Sequence, residues 1–270
     1  MDEQAGRRSR TDSRDSGDAY EPYVGRWSRL VAREFLGWLA VPPGRRWLDL
    51  GCGTGALAES ILTLATPGEV VGVNPSAAYV AFARDRLTDT RVRYEVGDAQ
   101  ALRAPSATFD AVVFGLVLNF VSEPARALSE MVGVVRPGGL VAAYVWDYAE
   151  GMQMMRHFWD AAGALDLVAR ELDEERRFPL CKPEPLTNLF QTAGLNKIEV
   201  CAIDVPTVFG DFDDYWTPFL GAQDPAPGYV TSLNEERQAA LRERIQATLP
   251  TNPEGEYHLI ARGWAVRGVR

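Results

Sequence analysis

The sequence predicts an α/β chain, a mostly parallel sheet covered by helices on both faces. Short apolar runs alternate with helical stretches as far as Val145. The first of these runs is followed at once by three glycines in five residues, Gly51, Gly53 and Gly55. Apolar strands alternating with helices fit a sheet buried on both sides. At 270 residues the chain can fold as one large domain with a sizeable core.

Residues 1–19, "MDEQAGRRSRTDSRDSGDA", are polar and near charge balance, so they read as a disordered tail with none of the apolar core of a secretory signal. A single domain is expected over residues 20–270, with residues 20–44 as an N-terminal lid and helix. From Val24 to Ala40, Val24, Trp27, Leu30, Val31, Phe35 and Leu39 recur at helical spacing, and Pro42-Pro43-Gly44 stops the helix. "RWLDL" is a buried strand, "GCGTG" a turn and "ALAESILTLA" a helix ended by Pro67-Gly68. "EVVGVN" is the second strand, and "SAAYVAFARDRL" a helix that Ser76 caps. "VRYEVGD" and "FDAVVFG" are further strands, and "PARALSEMVGVV" is a helix with Pro124 in its first turn. The fifth strand is "LVAAYVWD", Leu140 to Asp147. Beyond it, "MQMMRHFWDAAGALDLVA" and "PEPLTNLFQTAG" read as helices, and "NKIEVCAIDV" and "YHLIARGWAVRGV" as two late strands. Residues 206–253 lack clean periodicity and are rich in aromatics, which marks a cap insertion between the last two strands.

Composition removes several function classes. Hydrophobic residues make up 46% and charged residues 24%, and no apolar run approaches the ~18 residues that span a bilayer, so no membrane association is expected. The formal net charge of −9 opposes binding to a phosphate backbone, so nucleic acid is an unlikely partner. Cys52, Cys181 and Cys201 are scattered, which gives no disulfide framework and no zinc pattern and points to the reducing cytoplasm.

One glycine is enough to turn a chain; three beside a strand end suggest that a ligand approaches the backbone there. "GCGTGA" formally fits the dinucleotide fingerprint. The set of motifs is more specific. "LDLGCGTG", with an acid two residues before its first glycine, resembles motif I of the class I S-adenosylmethionine-dependent methyltransferases, of the small-molecule UbiE-like kind. "VVGVNPS", "VGDAQAL", "FDAVVFGLVLNFV" and "VVRPGGLVAAYV" follow in that family's order over Trp47 to Val145. The resemblance implies a seven-stranded sheet with an antiparallel last strand, and S-adenosylmethionine as cofactor. It also implies methyl transfer to a small-molecule acceptor by direct displacement. Asp49 and the backbone of Gly51, Cys52, Gly53 and Gly55 would hold the methionine moiety. Asp98 would accept from the adenine amino group beside Ala99 and Gln100, and Gly115 and Leu116 would lie along the cofactor. Where the family carries an acid for the ribose hydroxyls, this chain has Asn74, followed by Pro75. A neutral amide lacks the charge-assisted bond, a difference of ~1–2 kcal/mol.

The same resemblance makes the segment before the first strand a lid, with Tyr23 and Arg26 toward the cofactor and Trp27 toward the acceptor. From Ile198 to Glu236 there are eight acidic residues and no Lys or Arg. That segment holds Phe212, Tyr215, Trp216 and Phe219, which suit a cap over a neutral aromatic or an amine; a dimer surface is the other reading. Asn119 and Trp146 join them as acceptor contacts, and His157, Asp147 and Tyr148 are the general-base candidates. A nicotinamide-dependent oxidoreductase, or a methyltransferase-like fold retained only for binding, are the competing functions.

Overall fold

The computed structural model describes residues 26–221 and 225–270; the expected tail, Tyr20 and Tyr23 lie outside the described residues, as does the side chain of Arg26. Trp27, Val31, Phe35 and Leu39 recur every four residues and are buried, so Arg26–Leu39 (α1) is amphipathic. Leu30, expected in the same stripe, lies about 100° round the helix from Val31 and stays 39% exposed.

The α/β alternation runs Arg46–Leu50 (β1), Ala56–Leu64 (α2), Glu69–Asn74 (β2), Ala77–Arg86 (α3), Val92–Val96 (β3), Phe109–Gly115 (β4), Pro124–Val134 (α4) and Val135–Trp146 (β5). Gln153–Leu165 (α5), Ala169–Leu172 (α6), Glu174–Arg177 (α7) and Pro183–Thr192 (α8) lead to Asn196–Phe209 (β6). Phe212–Trp216 (α9), Pro225–Ser232 (α10) and Glu235–Thr248 (α11) precede Tyr257–Val269 (β7). The Ser76 hydroxyl caps α3 by accepting from Tyr79 N at 3.3 Å.

The seven strands lie in the order β3-β2-β1-β4-β5-β7-β6. β1 to β5 pair in parallel, and β7 runs antiparallel to both β5 and β6. From β1 the chain builds outward in both directions, so successive crossovers cover opposite faces and a crevice opens where β1 meets β4. Strand parity divides β1 between two apolar layers. Trp47 packs with Phe35 and Ile61 on one face; Leu48 and Leu50 pack with Leu128, Met131 and Phe190 on the other.

Several elements differ from the sequence reading; β5 begins at Val135 rather than Leu140, where Val135 pairs with Phe109 of β4 ahead of a register shift. β6 continues to Phe209 rather than ending at Val205, because Val205, Thr207 and Phe209 point inward and β7 pairs with it as far as Phe209↔Tyr257. Pro206 is tolerated because β6 is an edge strand. α5 stops at Leu165 because the Asp166 carboxylate accepts from Val168 N at 2.9 Å and turns the chain. Residues 206–253, read as lacking periodicity, contain the 14-residue α11, in which only Leu241 and Ile245 are buried.

The aromatic segment between β6 and β7 is anchored to α5. Phe158 stacks on Phe219 with centroids 4.5 Å apart, and the Tyr215 hydroxyl donates to the carbonyl of Met154 at 2.7 Å. Phe158 is fully buried. Phe158→Ala is expected to cost about 3–5 kcal/mol and to lower Tm by roughly 10 °C. Thermal unfolding followed by circular dichroism checks this, and an unchanged Tm would mean that the cap is not integral to the core.

Candidate active site

The floor of the crevice is Asp49. Parity places it on the Trp47 face of β1, under the glycine turn, where it is 1% exposed. Loss of water pushes its carboxyl from the usual 3.8 up to about 8. Its Oδ2 is buried without a hydrogen-bond partner. Burial also raises the thiol of Cys52 and the hydroxyl of Tyr94, and the Asp49 charge adds to both shifts.

The turn after β1 has two kinds of glycine. Gly53 has φ 51°, and a Cβ there would meet only the Gly51 carbonyl, 3.9 Å away, so its backbone faces open space. Gly55 has φ 88° and a Cβ would stand 2.7 Å from the Tyr94 hydroxyl. Gly55 does not line the cavity; the residue makes room for Tyr94.

A cavity of about 800 Å³ opens above this floor. At one end Asp49, Gly51, Cys52 and Gly53 line it together with Asn74 and Pro75. Asp98, Ala99 and Gln100 flank that end after β3, and Gly115 and Leu116 after β4. The Oδ1 of Asn74 accepts from Ser76 N at 2.8 Å, so the amide N–H₂ is the group it offers a ligand as donor. Asp98 accepts from Gln100 N at 2.8 Å. Gln100 Oε1 in turn accepts from Ser122 Oγ at 3.0 Å and Glu123 N at 2.9 Å, which ties the two loops together. Leu116 takes φ 58°, a strained value for a branched side chain, and its N–H donates to the Tyr144 carbonyl at 2.9 Å.

Part of the cavity wall is aromatic. Phe120, Trp146, Tyr148, Met155 and Phe178 line it with the buried Glu174. Phe178 meets Phe120 edge-on at 5.0 Å and Tyr148 at 5.7 Å. Trp146 and Tyr148 were expected near the ligand; Phe120, Met155, Phe178 and Glu174 were not. Phe178 could have been noticed as a lone aromatic in "EERRFPL", but nothing distinguishes Glu174 from the charged residues around it.

The other expected acceptor and base residues do not line the cavity. Asp147 is turned away from it and accepts from Ala149 N and Glu150 N, each at 3.2 Å, and from Gly151 N at 3.0 Å. His157 lies on the flank of α5 away from the buried Met154, Met155, Phe158 and Trp159, and burial lowers its basicity. Trp27 packs edge-on against Phe209 at 5.5 Å. Asn119 sits in the 3-10 turn after β4 with its Nδ2 buried and unpartnered. Phe212, Tyr215, Trp216 and Phe219 belong to the apolar core, because helix-spaced aromatics beside α5 bury more surface against it than at a solvent-filled opening. Among the described residues of that segment, Gly221, Pro225 and Pro227 line the cavity.

The profile of the methyltransferase-domain family matches residues 48–143. The ubiquinone/menaquinone biosynthesis C-methyltransferase UbiE of Ralstonia pickettii is 36% identical over 176 residues, 59% of this chain and 71% of that protein. The chain belongs to the class I S-adenosylmethionine-dependent methyltransferases. The 2-methyl-6-phytyl-1,4-hydroquinone methyltransferase of Synechocystis is 28% identical over 203 residues, 72% of this chain and 62% of that relative. Among solved structures, phosphoethanolamine N-methyltransferase 2 of Haemonchus contortus, in complex with S-adenosyl-L-methionine, has a TM-score of 0.59 at 19% identity, covering 97% of this chain and 58% of that one. YcgJ of Bacillus subtilis has a TM-score of 0.58 at 16% identity, covering 88% and 97%. Family membership removes the nicotinamide reading: the family's cofactor is S-adenosylmethionine. No helix among the described residues is long and apolar enough to cross a membrane.

Asp49 gives this methyltransferase a stability signature. The unfolded chain ionises it above about 4, whereas the folded chain keeps its proton up to about 8. The folded state therefore carries the extra proton between those values, and stability falls as pH rises through that window. Asp49→Asn is expected to remove part of this slope and to raise the Tm of the ligand-free protein by roughly 3–6 °C at pH 8, the effect of about 1–2 kcal/mol. Thermal melts from pH 5 to pH 9 check it; a lowered Tm at pH 8 would contradict the burial argument.

Proposed function

We propose that this methyltransferase transfers a methyl group to a small, flat, hydroxylated aromatic acceptor of the hydroquinone class. The observation that carries the proposal is one cavity lined both by the glycine turn with its buried acid and by the aromatic cluster of Phe120, Tyr148 and Phe178. Single-ligand pockets run to about 300–1,000 Å³, and a volume at the upper end suits two reactants. The relatives' names, hydroquinone and menaquinone methyltransferases, support the acceptor class. The cage of Phe120, Tyr148 and Phe178 would hold a ring by its faces and exclude water at low entropic cost. The three free cysteines fit a reducing compartment such as the cytoplasm.

When bound, S-adenosylmethionine supplies a methyl carbon on a sulfonium, open to direct displacement. This chain's residues fit it at several points. The unpartnered Oδ2 of Asp49 would receive the ammonium of the methionine moiety. The open backbone at Gly53 and the start of α2 would receive its carboxylate. Asn74 would donate to a ribose hydroxyl, and Asp98 would accept from the adenine amino group. Alignment of the two reactants in one closed space supplies most of the rate.

Calorimetry with S-adenosylhomocysteine and with NADH tests the cofactor end, with binding expected only for the first. Asp49→Asn should weaken that binding about 10–100-fold, the value of a charge-assisted bond with a buried partner. In the wild type, affinity should rise with pH from 6 to 7.5, because a carboxyl that titrates near 8 must release its proton to solvent before it can pair with the ammonium. Equal affinity in the variant, or a flat pH profile in the wild type, would remove Asp49 from the site.

Asn74→Asp keeps the acceptor for Ser76 N and adds a second oxygen for the ribose, so it should tighten binding several-fold, near the ~1 kcal/mol of a charge-assisted gain. Unchanged affinity would mean that residue 74 does not contact the ribose. Methyl transfer from labelled cofactor to a panel of hydroquinones and catechols tests the acceptor. Intact cofactor binding without transfer to any of them would reject the class.

A further inference from the structure

The segment from Leu116 to Glu123, between β4 and α4, touches three separate parts of the site. Val117 packs so closely on the glycine turn that a Cβ on Gly51 would stand 2.5 Å from its Cγ1. Phe120 meets Phe178 of the aromatic wall edge-on, with centroids 5.0 Å apart. Ser122 and Glu123 are held by Gln100 of the loop after β3, whose Oε1 accepts from Ser122 Oγ at 3.0 Å and from Glu123 N at 2.9 Å. Glu123 makes no side-chain cap of its own and is followed by Pro124, so Gln100 supplies an acceptor for the start of α4. The same side chain also reaches the other way. Its Nε2 donates to Asp98 Oδ1 at 3.3 Å, the oxygen that accepts from Gln100 N at 2.8 Å. With both lone pairs of Oε1 engaged, the amide plane is fixed and its N–H₂ is aimed at Asp98. Oδ2 is then the Asp98 oxygen that remains for a ligand.

Asp98 is exposed and Gln100 half-buried. Each of these bonds therefore competes with water, and the clamp must offset the rotamer freedom of a long side chain. A donor placed on Asp98 Oδ2 would fix the carboxylate, then Gln100, then the segment that carries Phe120. Resting on the adenine contact and the acceptor class proposed above, we infer that Gln100 is a positioning residue through which cofactor binding orders the aromatic wall for the acceptor. The ordering cost met by the first ligand is not met again by the second. That is positive coupling, and linkage makes it reciprocal. No bond forms or breaks at Gln100; it acts through Asp98 on one side and Phe120 on the other.

Gln100→Leu tests the inference, because it keeps the side-chain volume and removes both polar ends. Amide hydrogen exchange over residues 117–123 should slow about fivefold when S-adenosylhomocysteine saturates the wild type, and less than about twofold in the saturated variant. Gln100→Glu keeps the acceptor for Ser122 and Glu123 but sets a like charge against Asp98. It should lose the slowing too, although the start of α4 stays capped, which a merely structural role would not produce. In calorimetry, S-adenosylhomocysteine should tighten hydroquinone binding about tenfold in the wild type and no more than about threefold in Gln100→Leu, where direct contact between the two ligands survives. Equal slowing in wild type and variants, or equal tightening of hydroquinone, would overturn the role of Gln100. Undiminished S-adenosylhomocysteine affinity in Asp98→Ala would overturn the adenine contact and this assignment with it. If hydroquinone fails to bind the wild type with or without S-adenosylhomocysteine, the acceptor class falls, and the exchange result alone decides for or against Gln100.

Discussion

The site depends on a buried carboxyl group, that of Asp49, at the point where the strand order reverses. Among the described strands, β1 and β4 are the neighbouring pair from which the parallel strands build outward on both sides, so the crevice at their carboxyl ends is fixed by topology. Parity on β1 then decides that residue 49, not 48 or 50, shares a face with Trp47 and lies under the turn. Leucine there would stabilise the empty fold, and the strained φ of Leu116 at the facing strand end has the same character. Both costs fall at one crevice, where a bound cation and its adenosine would offset them.

The cap works differently from a lid lined with aromatics. Its rings stack on one another and on α5, forming a wedge continuous with the apolar layer on the α1 face of the sheet. That wedge sets where α5 lies. Through Trp159 and Arg156, α5 then places α7 and the acidic wall of the cavity. The aromatics of residues 212–219 thus act on the site through α5, while the segment's own contribution to the rim is small residues and prolines.

Much of this was legible in the sequence, and the reasons are physical. β2 and β4 were readable to the residue because a strand buried on both faces is apolar throughout and bounded by turn residues. That Asp49, Asn74, Asp98 and Gly115 share one cavity was legible because they sit at strand ends, close to glycines. α11 was not, since a helix that buries only Leu241 and Ile245 leaves no stripe. The aromatic cap misled for a related reason: composition shows that rings will be buried, but not whether a ligand or α5 buries them. Asp147 was expected in the cleft from its place after β5, and its carboxylate was instead taken by three backbone N–H groups of the turn it begins. Glu174 could not have been singled out, because the difference between it and Glu175 is which way a four-residue helix faces.

A crystal structure of the protein grown with S-adenosylhomocysteine tests the central claim most directly. The account predicts the amino group within hydrogen-bond distance of Asp49 and the sulfur directed along the cavity toward Tyr148, Phe178 and Glu174. It would be contradicted by adenosine seated among those aromatic residues, or by an amino group that leaves Asp49 buried and unpartnered.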